Sequence, residues 1–292
     1  MVAELDNDKN GKGIVDKEWL AVDQSRGKRR GTLYVAWSRL DEEQQRWELL
    51  CAALPLGAKQ FTASVRLGEP LDLKSGIDHV HQVQLAVRPD GTLDAVWRMS
   101  PTNQLVHASS QDGAKTFSKP MPISDADDGV QGRSPSLTAT PDGNLFVAWV
   151  NKGRVCYSVF VSGRWLPPQR VADDPSEGSR LSHPAAAATR DALWMLVYRR
   201  ENDPARVQVV LYRSPDRGKS WKEHRIIARR EFRDGRASRF SPGDYIGLAA
   251  AKGRVYAAYI LPGDNQERPA PQLYVSIVDE GQKGAKRDIQ DK

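Results

Sequence analysis

The chain repeats itself five times, and an array of that kind leaves few folds open. Five segments share one form, a turn followed by an apolar run ending in an aromatic. They are 31–37 (Gly-Thr-Leu-Tyr-Val-Ala-Trp), 91–97 (Gly-Thr-Leu-Asp-Ala-Val-Trp), 143–149 (Gly-Asn-Leu-Phe-Val-Ala-Trp), 191–198 (Asp-Ala-Leu-Trp-Met-Leu-Val-Tyr) and 253–259 (Gly-Arg-Val-Tyr-Ala-Ala-Tyr). Their first residues lie 60, 52, 48 and 62 positions apart. Runs this short, rich in β-branched and aromatic residues and bounded by turn residues, read as strands. A repeat of roughly 50 residues cannot bury its apolar faces alone, so neighbours must stack on one another.

Each repeat has the same order. An inner strand comes first (18–23, 81–87, 134–140, 183–189, 244–250), then the run ending in the aromatic, then a third strand (47–53, 105–109, 155–161, 207–213, 272–278). A short fourth strand such as 222–228 closes the repeat. Pro-Asp-Gly at 89–91 and 141–143 joins the first two strands, because Pro presets φ and Gly takes the left-handed position. The repeats run 18–67, 78–123, 134–172, 183–228 and 243–290 and form one domain. The reading is an all-β propeller of four-stranded antiparallel blades, five of them visible. The best helical candidate is the charged stretch 41–46.

One turn is sharper than the rest. Ser214-Pro-Asp-Arg-Gly-Lys-Ser-Trp221 has the form Ser-x-Asp-x-Gly-x-x-Trp. Its Ser and Asp can bond turn amides, its Gly allows a positive φ, and its Trp pins the turn between sheets. Worn copies follow the other third strands. Residues 110–117 keep Ser110, Asp112 and Phe117 but carry the Gly one place early, and 54–61 keep only Gly-Ala-Lys-x-Phe. Residues 162–165 are shortened, and the last repeat has only 279–282. Such a turn satisfies its own polar groups, so it marks an architecture and not a site.

Composition bounds the function. With 292 residues, 39% of them hydrophobic and 27% charged, the chain can bury a substantial core. Cys51 and Cys156 fall on third strands of non-adjacent repeats, too far apart for a bridge, so both are expected as buried free thiols. No apolar run reaches membrane-spanning length, and residues 1–17 are too polar for a signal peptide, so no membrane is expected. The net charge of +6 favours acidic ligands. Nucleic acid is not expected, since the basic residues are dispersed and no aromatic stacking platform accompanies them. No cofactor or metal is implied. Asp6-Asn-Asp-Lys-Asn-Gly11 opens like a calcium loop, but its closing Glu falls one place late and it reads as a polar terminus.

Alternation of strand direction sorts the loops onto two faces. Ligands are expected where inner strands begin and second strands end. Inner-strand starts bring Asp16, Asp78, His79, His183, Asp244 and Tyr245 there, and second-strand ends bring Arg39, Arg98, Arg199 and Glu201. Three guanidiniums from three repeats could converge on one carboxylate, each offering a planar fork of donors. The stronger alternative is that they cap the strand ends by pairing with nearby Asp or Glu.

With its octet at 214–221, its worn copies, and the phrases Asp16-Lys-Glu-Trp-Leu-Ala-Val-Asp23 and Gly243-Asp-Tyr-Ile-Gly-Leu-Ala249, the chain resembles the Asp-box (BNR-repeat) sialidase-like superfamily over nearly its full length. The resemblance implies an exo-glycosidase for sialylated or other acidic glycans. It puts Tyr245 in the place of the nucleophile, an exception to the two-carboxylate rule, with Glu201 as its base and Asp78 or Asp16 as acid. Arg39, Arg98, Arg199, Asp244, His79 and His183 would contact substrate. The family has six blades and a Phe/Tyr-Arg-Ile-Pro motif near the start, and neither is found here. The alternative is a non-catalytic propeller that binds glycan or protein through the same face. A monomer is expected. A first blade lost from the start would make the protein secreted or periplasmic; taken as it stands, the chain reads as cytoplasmic.

Overall fold

The computed structural model describes residues 13–41, 45–72, 82–99, 102–125, 135–171, 179–202, 205–232, 242–243, 246–262 and 271–281. Every element among them is a strand, and the strands form five antiparallel sheets. The first sheet holds β1 (Gly13–Val22), β2 (Leu33–Asp41), β3 (Arg46–Leu54), β4 (Val65–Arg66) and β5 (Leu71–Asp72). The second holds β6 (Gln84–Val87), β7 (Leu93–Met99), β8 (Gln104–Ser110) and β9 (Met121–Pro122). The third holds β10 (Ser136–Ala139), β11 (Leu145–Asn151), β12 (Arg154–Val161), β13 (Arg164–Trp165) and β14 (Gln169–Arg170). The fourth holds β15 (Arg180–Ala188), β16 (Leu193–Asn202), β17 (Ala205–Ser214) and β18 (Lys222–Glu231). The fifth holds β19 (Gly247–Ala251), β20 (Arg254–Pro262) and β21 (Pro271–Asp279). These divide into two compact units, residues 1–170 with the first three sheets and 171–292 with the last two.

Sequence and structure differ where the repeat is weakest. Residues 41 and 46 are not helical: Asp41 and Arg46 are opposed partners ending the β2–β3 hairpin, each strand paired along its whole length. Residues 42–44 of that expected helix lie outside the described residues. Among the described residues, the outer strand is whole only in the fourth sheet, beside the intact octet. In the first and third sheets two short pieces pair with the third strand instead. Three strands of the fifth sheet lie among the described residues.

Strands buried on both faces explain the near-continuous apolar runs. In β7, Ala95 and Trp97 pack toward the first sheet with Tyr34, Ala36, Cys51 and Ala53. Val96, between them in sequence, packs toward the third sheet with Leu145, Val147, Trp149 and Cys156. In the second unit, Trp194, Leu196, Tyr198 and Val209 pack on Val255, Ala257, Tyr259 and Leu261 of the fifth sheet. Trp149 and Trp194 are fully buried, and truncating either is expected to cost about 3–5 kcal/mol. Both cysteines are free and buried, and burial pushes the Cys51 thiol up to about 12. On the outer face of β21, Leu273, Val275 and Ile277 are exposed.

The octet closes as its chemistry requires. The Ser214 hydroxyl donates to Asp216 Oδ1 (2.8 Å) and accepts from the Gly218 amide (2.7 Å), while Asp216 also accepts the Ser220 amide (2.8 Å). Trp221 is buried. The copy at 110–117 makes the same bonds, with Ala114 donating to Ser110 Oγ at 2.9 Å and Asp112 accepting the Lys115 and Thr116 amides at 3.0 Å. Burial opposes both carboxylates' charge, yet hydrogen bonds from Thr116 and Ser110, and from Ser220 and Ser214, hold Asp112 and Asp216 at about 2.

Candidate functional site

Inner strands of the first and fourth sheets share a device at the end where the site was expected. Register shifts between Asp16 and Trp19 in β1, and between Ser182 and Ala185 in β15. Within each bulge one residue that is not glycine takes a left-handed conformation, Lys17 (φ 59) and His183 (φ 52). Such a conformation persists only where the surroundings over-determine it. Asp16 Oδ1 accepts the Lys17 amide at 2.8 Å, and the Lys17 ammonium lies 3.6 Å from Asp16 Oδ2.

His183 is 8% exposed. Its Nε2–H donates to the Gly243 carbonyl across 3.1 Å, and its ring meets Tyr198 edge-on at 5.6 Å between centroids. The Tyr198 hydroxyl in turn accepts the Ile260 amide (2.8 Å) and donates to the Ile260 carbonyl (3.0 Å). Burial pushes the Tyr198 phenol up to about 12, so the proton it donates to the Ile260 carbonyl is kept. His183 thus ties the fourth sheet to the residue just before Asp244 and Tyr245. Asp244, Tyr245, Asp78, His79 and the stretch Asp6–Gly11 lie outside the described residues.

The arginines occupy the second-strand ends, where Arg39 and Arg199 bond protein acceptors. Arg39 on β2 bonds Glu48 Oε2 at 2.6 Å. Glu48 also takes Arg66 at 2.6 Å and Arg46 at 3.2 Å, so three guanidiniums surround one carboxylate that is 1% exposed. Burial raises the Glu48 pKa, but the Arg39 hydrogen bond and the charges of Arg66, Arg39 and Arg46 bring it below the ordinary value. Arg199 on β16 sends Nε to Gln208 Oε1 (2.7 Å) and Nη1 to Glu223 Oε2 (2.6 Å). Glu201 lies 3.0 Å from Arg206 and 3.7 Å from Arg199. Arg98 sits half-buried on β7 opposite Leu105. Arg39 and Arg98 belong to the first unit, and Arg199, Glu201 and His183 to the second.

Glu48 and Gln208 went unmarked in the sequence, although a signal was there. Each is a lone polar residue in an apolar third strand, Trp-Glu-Leu-Leu-Cys at 47–51 and Val-Gln-Val-Val-Leu at 207–211. A charged or amide group in such a run is buried with a partner or not at all. Among the described residues, no group of three or more His, Cys, Asp or Glu could hold a metal ion.

No protein-family model matches the chain, and no curated protein matches it. Solved structures do. A Hadza microbial sialidase, Hz136, matches with a TM-score of 0.54 at 15% identity, over 91% of this chain and 57% of its own. The polysaccharide lyase Uly1 matches at 0.52 and 10% identity, over 90% of this chain and 58% of its own. Trypanosoma rangeli sialidase, in complex with the inhibitor DANA, matches at 0.54 and 15% identity, over 93% of this chain and 49% of its own. The chain spans about half the length of these structures. At such identities the likeness shows the fold alone, an all-β propeller.

Proposed function

We propose that this chain acts on carbohydrate, as a sialidase-like exo-glycosidase for sialylated or other acidic glycans, at the end of the sheets where second strands finish. The observation that supports it is the arginine-rich strand end of the fourth sheet, carried on a fold that sialidases share. Fold alone does not assign a reaction. In this reading Tyr245 attacks the anomeric carbon while a carboxylic acid protonates the departing oxygen. Glu201 takes the phenol proton, and water then releases the sugar from the tyrosine. His183 bonds the carbonyl of Gly243, which precedes Asp244 and Tyr245 in the sequence.

The second reading is a non-catalytic propeller that binds glycan or protein. It is favoured by one observation: Arg39 and Arg199 already have acceptors in Glu48, Gln208 and Glu223. Hydrolysis of a fluorogenic sialoside by the purified chain, beside Tyr245→Phe, separates the two. Turnover in the parent and none in the variant establishes the hydrolase. A folded sample without turnover leaves the binding propeller.

A further inference from the structure

The fourth sheet carries a row of arginines. Register sets Arg180 opposite Arg200, Arg200 opposite Val207, and Val207 opposite Arg230. Opposed residues leave a sheet on the same side. Three guanidinium side chains therefore share one face along a line across four strands, about 14 Å long at ~4.8 Å per strand.

That face is the one packed toward the fifth sheet, since Val207 and Tyr198 belong to the core shared with Val255 and Tyr259. The carboxylates of the sheet lie elsewhere. Register puts Glu201 and Glu231 opposite Arg206 on the other face, and Glu223 reaches Arg199 there. Arg230 is aimed over the gap between the sheets, with Nε donating to the Pro262 carbonyl (3.2 Å) and Nη2 to the Tyr274 hydroxyl (3.4 Å). Arg180 is exposed and Arg200 half-buried. Burial, and then the charge of Arg180, pull the Arg200 pKa down, so the place disfavours its cation. Like charges set directly opposite one another on paired strands weaken a sheet. An anion laid over them reverses the sign of that term. Arg200 and Arg230 have contacts of their own, and a guanidinium with five donors can add an oxyanion to these.

We propose that the Arg180–Arg200–Arg230 row binds a chain bearing repeated oxyanions, an acidic polysaccharide whose carboxylate or sulfate groups lie along it. The class of ligand rests on the glycan reading above, while the residues and the polymeric form go beyond it. One planar carboxylate would be filled by the opposed pair alone; a row reaching β18 suits spaced charges. Single-stranded nucleic acid also repeats an oxyanion, but it gains most from stacking on aromatic rings. Here Tyr198 is buried and Tyr274 stacks on Tyr259 at 5.8 Å.

The test uses the full chain with polygalacturonate and dextran sulfate as probes, neutral dextran as control, and a single-stranded oligodeoxythymidylate as competitor. Arg180→Gln and Arg180→Glu change an exposed strand residue, and Arg164→Gln on β13 serves as a charge-matched control. Binding of at least one acidic polymer but not neutral dextran, weakened about 10-fold or more by Arg180→Gln, further by Arg180→Glu and unchanged by Arg164→Gln, supports the row. Equal binding by parent and both Arg180 variants overturns it, as does the absence of binding to either acidic polymer. Tighter binding of the oligonucleotide than of both polymers overturns it in favour of nucleic acid. Sialoside hydrolysis is read separately: turnover without polymer binding sinks the row alone, and polymer binding without turnover sinks the hydrolase alone.

Discussion

Arg29 Cδ lies 2.8 Å from the point where a Cβ on Gly113 would stand. The arginine comes from the loop after β1 and runs between two turns of the second sheet, with Nη2 on the Gly91 carbonyl at 3.3 Å. This explains the displaced glycine in the worn octet. Both copies need two successive left-handed residues, Arg217 and Gly218 (φ 61 and 94) in one, Gly113 and Ala114 (φ 83 and 66) in the other. Where Arg29 passes, the first of the two can carry no side chain, so the glycine moves and Ala114 bears the strain. Gly113→Ala is expected to destabilise by about 2–4 kcal/mol in urea denaturation, combining strain with a clash. Gly143→Ala, with φ 85 but nothing within 4 Å, is expected to cost about 1 kcal/mol. Combining Gly113→Ala with Arg29→Ala should cost less than the sum of the two single changes.

The two turn carboxylates make stability depend on acid in a defined window. Asp112 and Asp216 titrate at about 2 in the fold, against about 3.9 in an unfolded chain. A depressed pKa stabilises above the unfolded value, and that contribution disappears as pH falls from about 4 through about 2. Asp216→Asn should therefore lower the denaturation midpoint at pH 7 and lose most of that difference near pH 2. A difference that is constant with pH would show that the aspartate charge plays no part in the turn.

Removing Glu48 should be costlier than removing any one of its arginines. Glu48→Ala leaves three guanidiniums around a buried gap, with an expected loss of about 3–5 kcal/mol. Arg39→Gln leaves the carboxylate two cations, and about 1–2 kcal/mol is expected. Chemical denaturation of the two variants ranks them, and a larger loss for Arg39→Gln would mean that Glu48 is not the centre of the cluster.

Tyr198→Phe removes both bonds to Ile260 and leaves a half-buried amide and carbonyl without the hydroxyl. About 1–3 kcal/mol is expected, together with faster hydrogen exchange at the Ile260 amide than at the paired strand residues around it. Exchange unchanged at Ile260 would show that water replaces the hydroxyl.

Much of the fold could be read from the chain because its strands satisfy local rules. Apolar runs buried on both faces, turn residues between them and a self-bonded octet are legible without knowing any neighbour. Expected third strands such as 207–213 match β17 to within two residues at either end. The expected fourth strand 222–228 lies within β18, whereas outer pieces of two residues, such as β4 and β5, carry no periodicity by which to place them. The site was less legible for a different reason. That Arg39, Arg98 and Arg199 stand at strand ends follows from topology, but their partners follow from register, and one residue of slip moves a side chain to the other face. Glu48 faces Arg39, and Arg200 rather than Arg199 faces Arg180, only once the ladders are paired.

The alternation in β7, where Ala95 and Trp97 serve one neighbour and Val96 the other, constrains how such a chain can change over generations. Inserting or deleting a single residue inside that strand would exchange both packing faces together and disrupt two sheet contacts in one event. Length can drift only in the connections, which is where the spread in repeat spacing from 48 to 62 resides. The array therefore evolves by substitution within strands, by growth of its loops, and by gain or loss of whole repeats.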